Sequence, residues 1–472
     1  MLRASSSIIR SRYRQQHVML QNTTRQHLTP FNITRVYLSS SSSRGDNNRK
    51  SSFVRSVSAG LPDWIEHWSR DSFRKVGYGL ALSVPAVAMM GNNPVITLGL
   101  ASTTAVYWLV GLNDIKQTNQ TIRRNFPVLG NMRYLLEMIR PEIRQYFVEG
   151  DNEAVPYSRA QRTIVYERAK GLECTMPFGI RRDATAVGFE WVNHSLYPTK
   201  IGEQRVIIGQ HNQSTTQPYS ASLLNISAMS YGALSDRAIL ALSSGAKLGN
   251  FYHNTGEGGV SRFHKEGGGD LVWNIGTAYF GCGDFAPDGS RVFDPDLFEE
   301  NAQYAKMIEI KLSQGAKPGH GGLLPKEKIT KEIADARNLP WPVLHDCVSP
   351  ARHSAFSNPY ELCEFINTLR TLSKGKPIGM KLCMGHPEEF AALVRAFVET
   401  GEAPDFITID GTEGGTGAAP PEFSNSVGMP LSFGLSYAHA MLVGAGLRDP
   451  VDKSQSRVTL IGSGKVCSGF SM

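Results

Sequence analysis

The stretch Ile308–Gly322, IEIKLSQGAKPGHGG, opens as an apolar run and turns into a loop dense in glycine and lysine. It carries Lys311, Lys317 and His320. A strand that ends in a basic loop is how a parallel barrel displays chemistry at the carboxyl ends of its strands. Lys381 lies inside another apolar run, Pro377–Cys383 (PIGMKLC), where a lysine is costly unless it meets an anion or a polar ligand. It could pair with an inward acid such as Asp410. It could also stand beside the N1–C2=O edge of a reduced flavin, where negative charge develops. The loops Asp410–Gly417 (DGTEGGTG) and Asn254–Gly259 (NTGEGG) are glycine-rich beyond the needs of an ordinary turn, and the second adds the carboxylate of Glu257. Glycines let backbone approach a flat ring or a phosphate closely. Lys317 and Arg337 could bind the carboxylates of a dicarboxylic acid, the arginine in bidentate fashion, or could be solvated surface charges. Gly462-Ser463-Gly464-Lys465 follows an apolar run, and amides in such a turn can cradle a phosphate. A glycine-rich turn is more often only a turn; the position of this one, after a late strand, is what singles it out.

These residues need a scaffold that brings strand ends together. From residue 221 the chain alternates apolar runs with helical stretches, the pattern of βα units and a parallel sheet. Strands are expected at Leu223–Met229, Asn250–Asn254, Asp270–Ile275, Met307–Leu312, Pro377–Cys383, Asp405–Ile409 and Arg457–Ile461, with helices at Asp236–Leu248 and Pro387–Thr400. The fold class is therefore α/β, a (β/α)8-type barrel over residues 221–472. Seven strands stand against an expected eight. A barrel without its last unit exposes two sheet edges and a half-open core. An incomplete gene model or a fragment is the expectation, with a degenerate barrel completed by another element as the alternative.

Of the 472 residues, 41% are hydrophobic and 46 are glycine, in keeping with a loop-rich globular enzyme. Seven of the 49 basic residues lie in residues 1–45, which hold no acid, leaving 42 basic against 42 acidic residues. The net charge of +7 thus reports the leader and not a nucleic-acid surface. The Arg- and Ser-rich leader reads as an organellar transit peptide, mitochondrial first and plastid second. No charge occurs between Val76 and Asn113. Residues 76–112 form two apolar pieces split by Gly91-Asn92-Asn93, the second about long enough to span a bilayer. Basic flanks on both sides suit a helical hairpin anchor with both ends on one side, in the inner membrane if mitochondrial; two buried soluble helices are the alternative. Residues 115–220 read as a juxtamembrane amphipathic helix broken near Pro141, then a lead-in covering the barrel bottom. The six cysteines, at 174, 282, 347, 363, 383 and 467, show no CxxC pair, so neither a metal site nor a disulfide framework is expected.

Taken in order, ISAMSYGALS, HNTGEGG, IKLSQGAKPGHGG, GMKL, DGTEGGTGAAP and IGSGKVCSGF resemble the FMN-binding synthase domain of glutamate synthases. They are similar above all to its stand-alone, membrane-anchored members. The resemblance covers about 115–472 and implies a TIM barrel holding FMN. It also implies an oxidoreductase that delivers hydride from reduced FMN to 2-iminoglutarate, formed from 2-oxoglutarate and ammonia, to give L-glutamate. By the same resemblance Ser227, Ala228, Met229 and Ser230 cradle the isoalloxazine, with Thr255 and Lys311 nearby. Lys381 serves the flavin N1 edge, Gly414 and Gly415 line the ring, and Gly462, Ser463 and Gly464 belong to the phosphate cradle. Glu257, Lys317 and Arg337 hold the oxoacid.

The departures bear on the substrate. The larger enzymes carry Glu at the position of His320 and Gln at that of Leu323, so a different 2-oxo or 2-imino acid stays open beside 2-oxoglutarate. A non-catalytic truncated barrel is the further alternative. With no glutaminase domain, free ammonia or a partner must supply nitrogen. The family's iron–sulfur cysteines lie beyond the position of Met472, so a cluster is expected only if the chain continues. No dinucleotide fingerprint appears. The sequence does not name the electron donor: reduced ferredoxin, a quinone-linked partner and a separate flavoprotein stay open, with the anchor favouring a membrane-linked one.

Overall fold

The computed structural model describes residues 67–472 apart from Asn92, Asn93, Asp151, Asn152, Ala154 and Asp288. The expected transit peptide lies outside the described residues. The chain divides into two compact units after Gly150.

In the first unit, α1 (Arg70–Met89) starts at Ser69, whose hydroxyl accepts from Ser72 N. It packs antiparallel to α2 (Pro94–Lys116). Tyr107 Oη donates to Phe73 O at 3.0 Å and Trp108 Nε1 to Gly77 O at 3.2 Å. Gly77 and Gly111 lie flat against the rings of Trp108 and Phe73, where a Cβ would not fit. Among the described helices α2 is the one long and apolar enough to cross a membrane, by length and composition. Two further helices follow, α3 (Thr121–Asn125) and α4 (Gly130–Ile143). The expected break at Pro141 does not occur. Pro141 sits inside α4, which runs on to Ile143 and continues as a π turn over Arg144–Val148.

The second unit begins with α5 (Arg159–Ala169), closed by a Ser158–Gln161 capping box. The antiparallel pair β1 (Arg205–Ile208) and β2 (Tyr219–Ser222) comes next. Then the βα units run through α6 (Asp236–Gly249), β3 (Tyr252–Asn254), α7 (Arg262–Gly267) and β4 (Asp270–Ile275). A hairpin, β5 (Gly283–Phe285) and β6 (Arg291–Phe293), precedes α8 (Pro295–Ala302) and β7 (Met307–Lys311). The two-residue strands β8 (Leu323–Leu324) and β9 (Cys347–Val348) pair around α9 (Lys331–Arg337). The chain closes with α10 (Pro359–Leu372), β10 (Ile378–Leu382), α11 (Pro387–Thr400), β11 (Phe406–Asp410), α12 (Pro421–Ser426), α13 (Leu431–Gly444) and β12 (Thr459–Ser463).

Six strands make one parallel sheet in the order β12-β11-β10-β7-β4-β3, each added beside its predecessor in sequence. That winding, with the sheet curled, is the α/β half-barrel of the TIM class. Six of the seven expected strands are present within a residue or two of their expected ends. The strand expected at Leu223–Met229 is reduced to a single parallel bridge, Ile226 with His253. The reason is local. Asn225 accepts from Tyr252 N through its side chain (3.2 Å) and donates to Ser222 O (2.7 Å), taking the place of a backbone rung. Leu223 and Leu224 are exposed, and the chain joins the sheet edge from Ile226, with Met229 N–H also donating to Asn254 O.

Strands β7, β10 and β11 are buried at every position, as strands covered on both faces must be. Trp273, Phe298, Ile308, Met380 and Ile407 form the main core between sheet and helices. At the amino ends of the strands, Ile208, Tyr219, Tyr252, Met307 and Phe406 form a separate plug, so β1 and β2 stopper that end. The buried Asp405, just before β11, fastens the stopper. It accepts from Asn212 Nδ2 (3.0 Å), Thr215 Oγ1 (2.9 Å), Ile378 N (2.8 Å) and Arg370 Nη2 (3.3 Å).

Three histidines are buried neutral. Burial, helped by His264, pushes His253 down to about 3; burial pushes His264 and His353 down to about 4. Unfolded histidine titrates near 6.5. Between about pH 6.5 and 4 the unfolded chain therefore takes up protons that the folded chain refuses, and stability rises with pH through that window. Thermal unfolding should move to lower temperature as pH falls from 7 to 4.5. Replacing His253 with Gln should flatten that slope by roughly one proton's worth. A flat profile would refute the reading.

Candidate active site

Side chains two apart on a strand share a face, and this rule builds the site in two tiers. Glu309 and Lys311 point inward from β7. Thr408 and Asp410 do so from β11, Lys381 from β10, and Asn254 and Asn274 from β3 and β4. The lower tier centres on Glu309, 2% exposed. Its carboxylate accepts from Asn254 Nδ2 (2.7 Å), Asn274 Nδ2 (2.6 Å) and Thr408 Oγ1 (2.7 Å). Above it, Lys311 and Lys381 are register partners on adjacent strands. Two like charges there require counterions. Lys311 Nζ lies 2.8 Å from Glu257 Oε2, and Lys381 Nζ lies 3.2 Å from Asp410 Oδ2.

The field of this cluster is legible in its acids and bases. Burial pushes the Glu257 carboxyl up, but Lys311, Arg337 and Lys317 outweigh it and hold the group below the usual carboxylate range. Burial, with Lys381 and Lys317 adding repulsion, pulls the Lys311 ammonium down against the attraction of Glu257. For Lys381 burial is again the largest influence, yet Asp410, Glu309 and Glu257 together overcome it and raise the ammonium. Lys317 is 2% exposed and has no carboxylate at ion-pair distance among the described residues; burial lowers it. The centre thus carries four cations against three carboxylates, with Lys317 the buried cation lacking a direct partner.

Glu257 is packed where no side chain could intrude. A Cβ on Gly276 would lie 2.8 Å from its Oε2, and one on Gly322 2.6 Å from its Oε1. The Lys317 loop is tied to the strand ends by Gly315, whose amide donates to Asp410 Oδ2 at 2.9 Å and which abuts the Gly411 carbonyl too closely for any Cβ. Asp410 also accepts from Ser463 Oγ at 2.8 Å, so β12 is drawn into the same constellation. The cavity lined by Glu257, Thr277, Lys311, Ser313, His320 and Pro350 holds about 20 Å³, little more than a water's room. A larger one of about 880 Å³ lies beyond Pro350 and His353, lined by Phe280, Arg291, Leu344 and Phe356.

The remaining expected residues distribute as follows. Met229 is fixed at both ends of its peptide, its N–H donating to Asn254 O (3.0 Å) and its carbonyl facing His264 Nε2 (3.1 Å). Ser230 is pressed by Gly256, whose φ of +65° no ordinary side chain favours. Ser227 is exposed and Ala228 half-buried on the same loop. The Thr255 hydroxyl donates to Gly256 O and accepts from Asn274 N, which spends it on cross-strand structure. Gly414 closes a turn onto Gly411 O (3.0 Å), Gly415 faces open space, and Gly464 has φ +127°. Gly462, Ser463 and Gly464 stand at the end of β12. Arg337 is buried, with its guanidinium over Phe280 (4.8 Å) and only long contacts to Cys347 Sγ (3.4 Å) and Tyr231 O (3.5 Å). Lys381 does make the pair with Asp410 that its strand setting allowed. His320 and Leu323 are both exposed beside this cluster's loop.

Sequence reasoning missed Glu309, Asn254, Asn274, Thr408 and His353. The first had a signal: a charged residue inside an apolar strand, two before Lys311. His353 Nε2 meets the Lys311 carbonyl at 2.9 Å and had no such signal.

Known proteins resemble this sequence. Residues 192–472 match the conserved region in glutamate synthase. The glutamate synthase large subunit-like protein YerD of Bacillus subtilis (strain 168) is 34% identical over 410 residues, covering 78% of this chain and 75% of its own. The archaeal-type glutamate synthase (NADPH) of Thermotoga neapolitana is 34% identical over 223 residues, 47% of this chain and 40% of its own. The archaeal glutamate synthase (NADPH) of Methanocaldococcus jannaschii is 33% identical over 227 residues, 48% and 40%. The chain spans three quarters of the first of these and about two fifths of the other two. Fold, ordered motifs and extent of match together make the chain a member of the glutamate synthase family of oxidoreductases.

Proposed function

We propose that the chain is an FMN-dependent enzyme that reduces 2-iminoglutarate, formed from 2-oxoglutarate and ammonia, to L-glutamate. The observation that carries this is the excess of buried positive charge at the strand ends, above all Lys317, a buried cation without a carboxylate partner. Such a group calls for an anionic ligand. The residues also suit the cofactor. Lys381 is a buried ammonium kept charged, Gly415 leaves open space, and Gly464 adopts a conformation reserved for glycine at the end of β12.

Bound there, FMN would supply hydride to the imine carbon. Lys381 would place a fixed positive charge at the electron-rich edge of the ring, with Asp410 holding it in place. The amides of Gly462, Ser463 and Gly464 would take the phosphate. Lys317 and Arg337 would take the substrate carboxylates, and Glu257, ionised at neutral pH, would accept a hydrogen bond from the protonated imine nitrogen. Lys311 keeps Glu257 ionised and oriented. The test is the absorbance of the purified full chain, followed by single-turnover reoxidation after chemical reduction. Bound flavin reoxidised by 2-oxoglutarate plus ammonium supports the proposal, and a colourless protein that takes up no FMN rejects it.

Replacing Lys317 with Ala should raise KM for the oxoacid about 10- to 100-fold, the scale of one charge-assisted hydrogen bond, and leave flavin content unchanged. Steady-state kinetics with a flavin assay reads both. An unchanged KM would remove Lys317 from the substrate site.

A second reading, another 2-oxo or 2-imino acid as substrate, draws on Leu323 and His320. Leu323 is 43% exposed and offers no hydrogen bond where a polar contact to the acid would be needed. A panel of oxoacids with ammonium, scored by reoxidation rate, separates the two. We also infer an organellar, membrane-attached protein from the leader and α2. Retention in membranes after alkaline carbonate washing tests the attachment, and organelle import tests the address. The electron donor in this reading is ferredoxin or a membrane-linked carrier.

A further inference from the structure

The helix α4 exposes an ordered apolar stripe. Met132, Leu135, Leu136, Ile139 and Ile143 follow at spacings of three, one, three and four, which on a 3.6-residue helix confines them to about 100° of arc. Every one is exposed. Tyr146 and Phe147, three and four residues after Ile143, extend the stripe onto the π turn and are 67% and 85% exposed. The opposite face carries Glu137, paired with Arg133 at 2.9 Å, and Pro141. An uncovered apolar band of this length on a surface helix needs an occupant.

Three observations identify it as a lipid surface. First, the segment from Lys116 through Val148 holds six basic residues and two acidic ones, with Arg140 and Arg133 on the flank of the helix between the stripe and Glu137. That arrangement complements anionic headgroups. Second, α4 follows the bilayer-length helix α2 after only 13 residues. Third, the connection is fastened. Asp114, buried near the end of α2, receives Val128 N at 3.0 Å, the Asn131 amide and Arg123 Nε at 3.3 Å, so α4 leaves α2 on a fixed turn.

We propose that α4 and its π turn bind the surface of an anionic bilayer, lying in its plane with the stripe among the acyl chains and the arginines at the phosphates. The inference rests on the membrane reading above but does not need α2 to span. The full chain, with exposed Cys174 and half-buried Cys467 replaced by Ser, takes a single environment-sensitive fluorophore at Ile139→Cys on the stripe or Glu137→Cys opposite it. Vesicles are phosphatidylcholine alone or with about a third phosphatidylglycerol. Spin-labelled lipid should quench the label at position 139 at least about twofold more than at 137, more strongly with anionic lipid and less in high salt. Equal, weak quenching at both positions in protein that resists carbonate washing would overturn the helix proposal while sparing the anchor. Loss of the protein from vesicles on carbonate washing, with the 139-over-137 contrast kept, would defeat the span alone. A shielded label at 139 untouched by spin-labelled lipid would mean that another protein surface or a second copy covers the stripe, and would also overturn it.

Discussion

Replacing Lys381 with Met should lower the rate of substrate-dependent flavin reoxidation by about 10²- to 10³-fold, the loss that follows removal of one preorganised charge at a site of developing negative charge. The structure also says what the variant would leave behind. Asp410 would lose its counterion at 3.2 Å but keep the Gly315 amide and the Ser463 hydroxyl. A carboxylate still held by two donors should stay put, so the fold should survive. The double variant K381M/D410N removes both charges and should recover most of the lost stability with none of the lost rate. Stopped-flow reoxidation alongside a denaturation midpoint separates the two quantities. If K381M/D410N reoxidises at the parent rate, the lysine has no task beyond balancing Asp410, and its assignment to the cofactor edge fails.

A second large effect is expected at Glu309, and it is an effect on stability. Replacement by Leu removes the acceptor from Asn254, Asn274 and Thr408 together, leaving three buried donors facing an apolar group. Unsatisfied buried donors cost about 1–3 kcal/mol each, so a total of roughly 4 kcal/mol or more is expected. The negative charge that helps keep Lys381 protonated goes with it. Replacement by Gln retains one carbonyl oxygen but turns an amide toward other donors, and should fall between Leu and the parent. Chemical-denaturation midpoints of the three proteins give the order directly. A Leu variant within about 1 kcal/mol of the parent would mean that the layer relaxes around the change.

Both effects depend on features that the sequence discloses unequally. Strand positions were legible because fully buried parallel strands are short apolar runs between glycine-rich turns, and β4 and β10 sit where those runs do. The segment at 223–229 has the same composition but not the same structure, because one asparagine, Asn225, substitutes its side chain for a backbone rung. Periodicity cannot register such a competition. Lys381 stood out because a charge inside an apolar strand is anomalous, and Glu309 is anomalous in the same way on β7. Asn254, Asn274 and Thr408 are not, since neutral polar residues in strands are ordinary. Their role follows from three different strands converging on one carboxylate, which only the sheet order reveals.

Asp405 has a consequence for the order in which the molecule is made. Its partners Asn212 and Thr215 precede it by 193 and 190 residues. As the chain leaves the ribosome, the β1–β2 pair emerges long before the carboxylate that fastens it. Contacts between residues so far apart in sequence form slowly, because the entropy of closing the loop must be met first. The stopper at the amino ends of the strands is thus expected to be locked last, after β11 has joined the sheet. Ile208, Tyr219 and Ala221 can meet Tyr252 and Val272 earlier, so it is the polar fastening at Asp405, and not the apolar contact, that waits for the end of the chain.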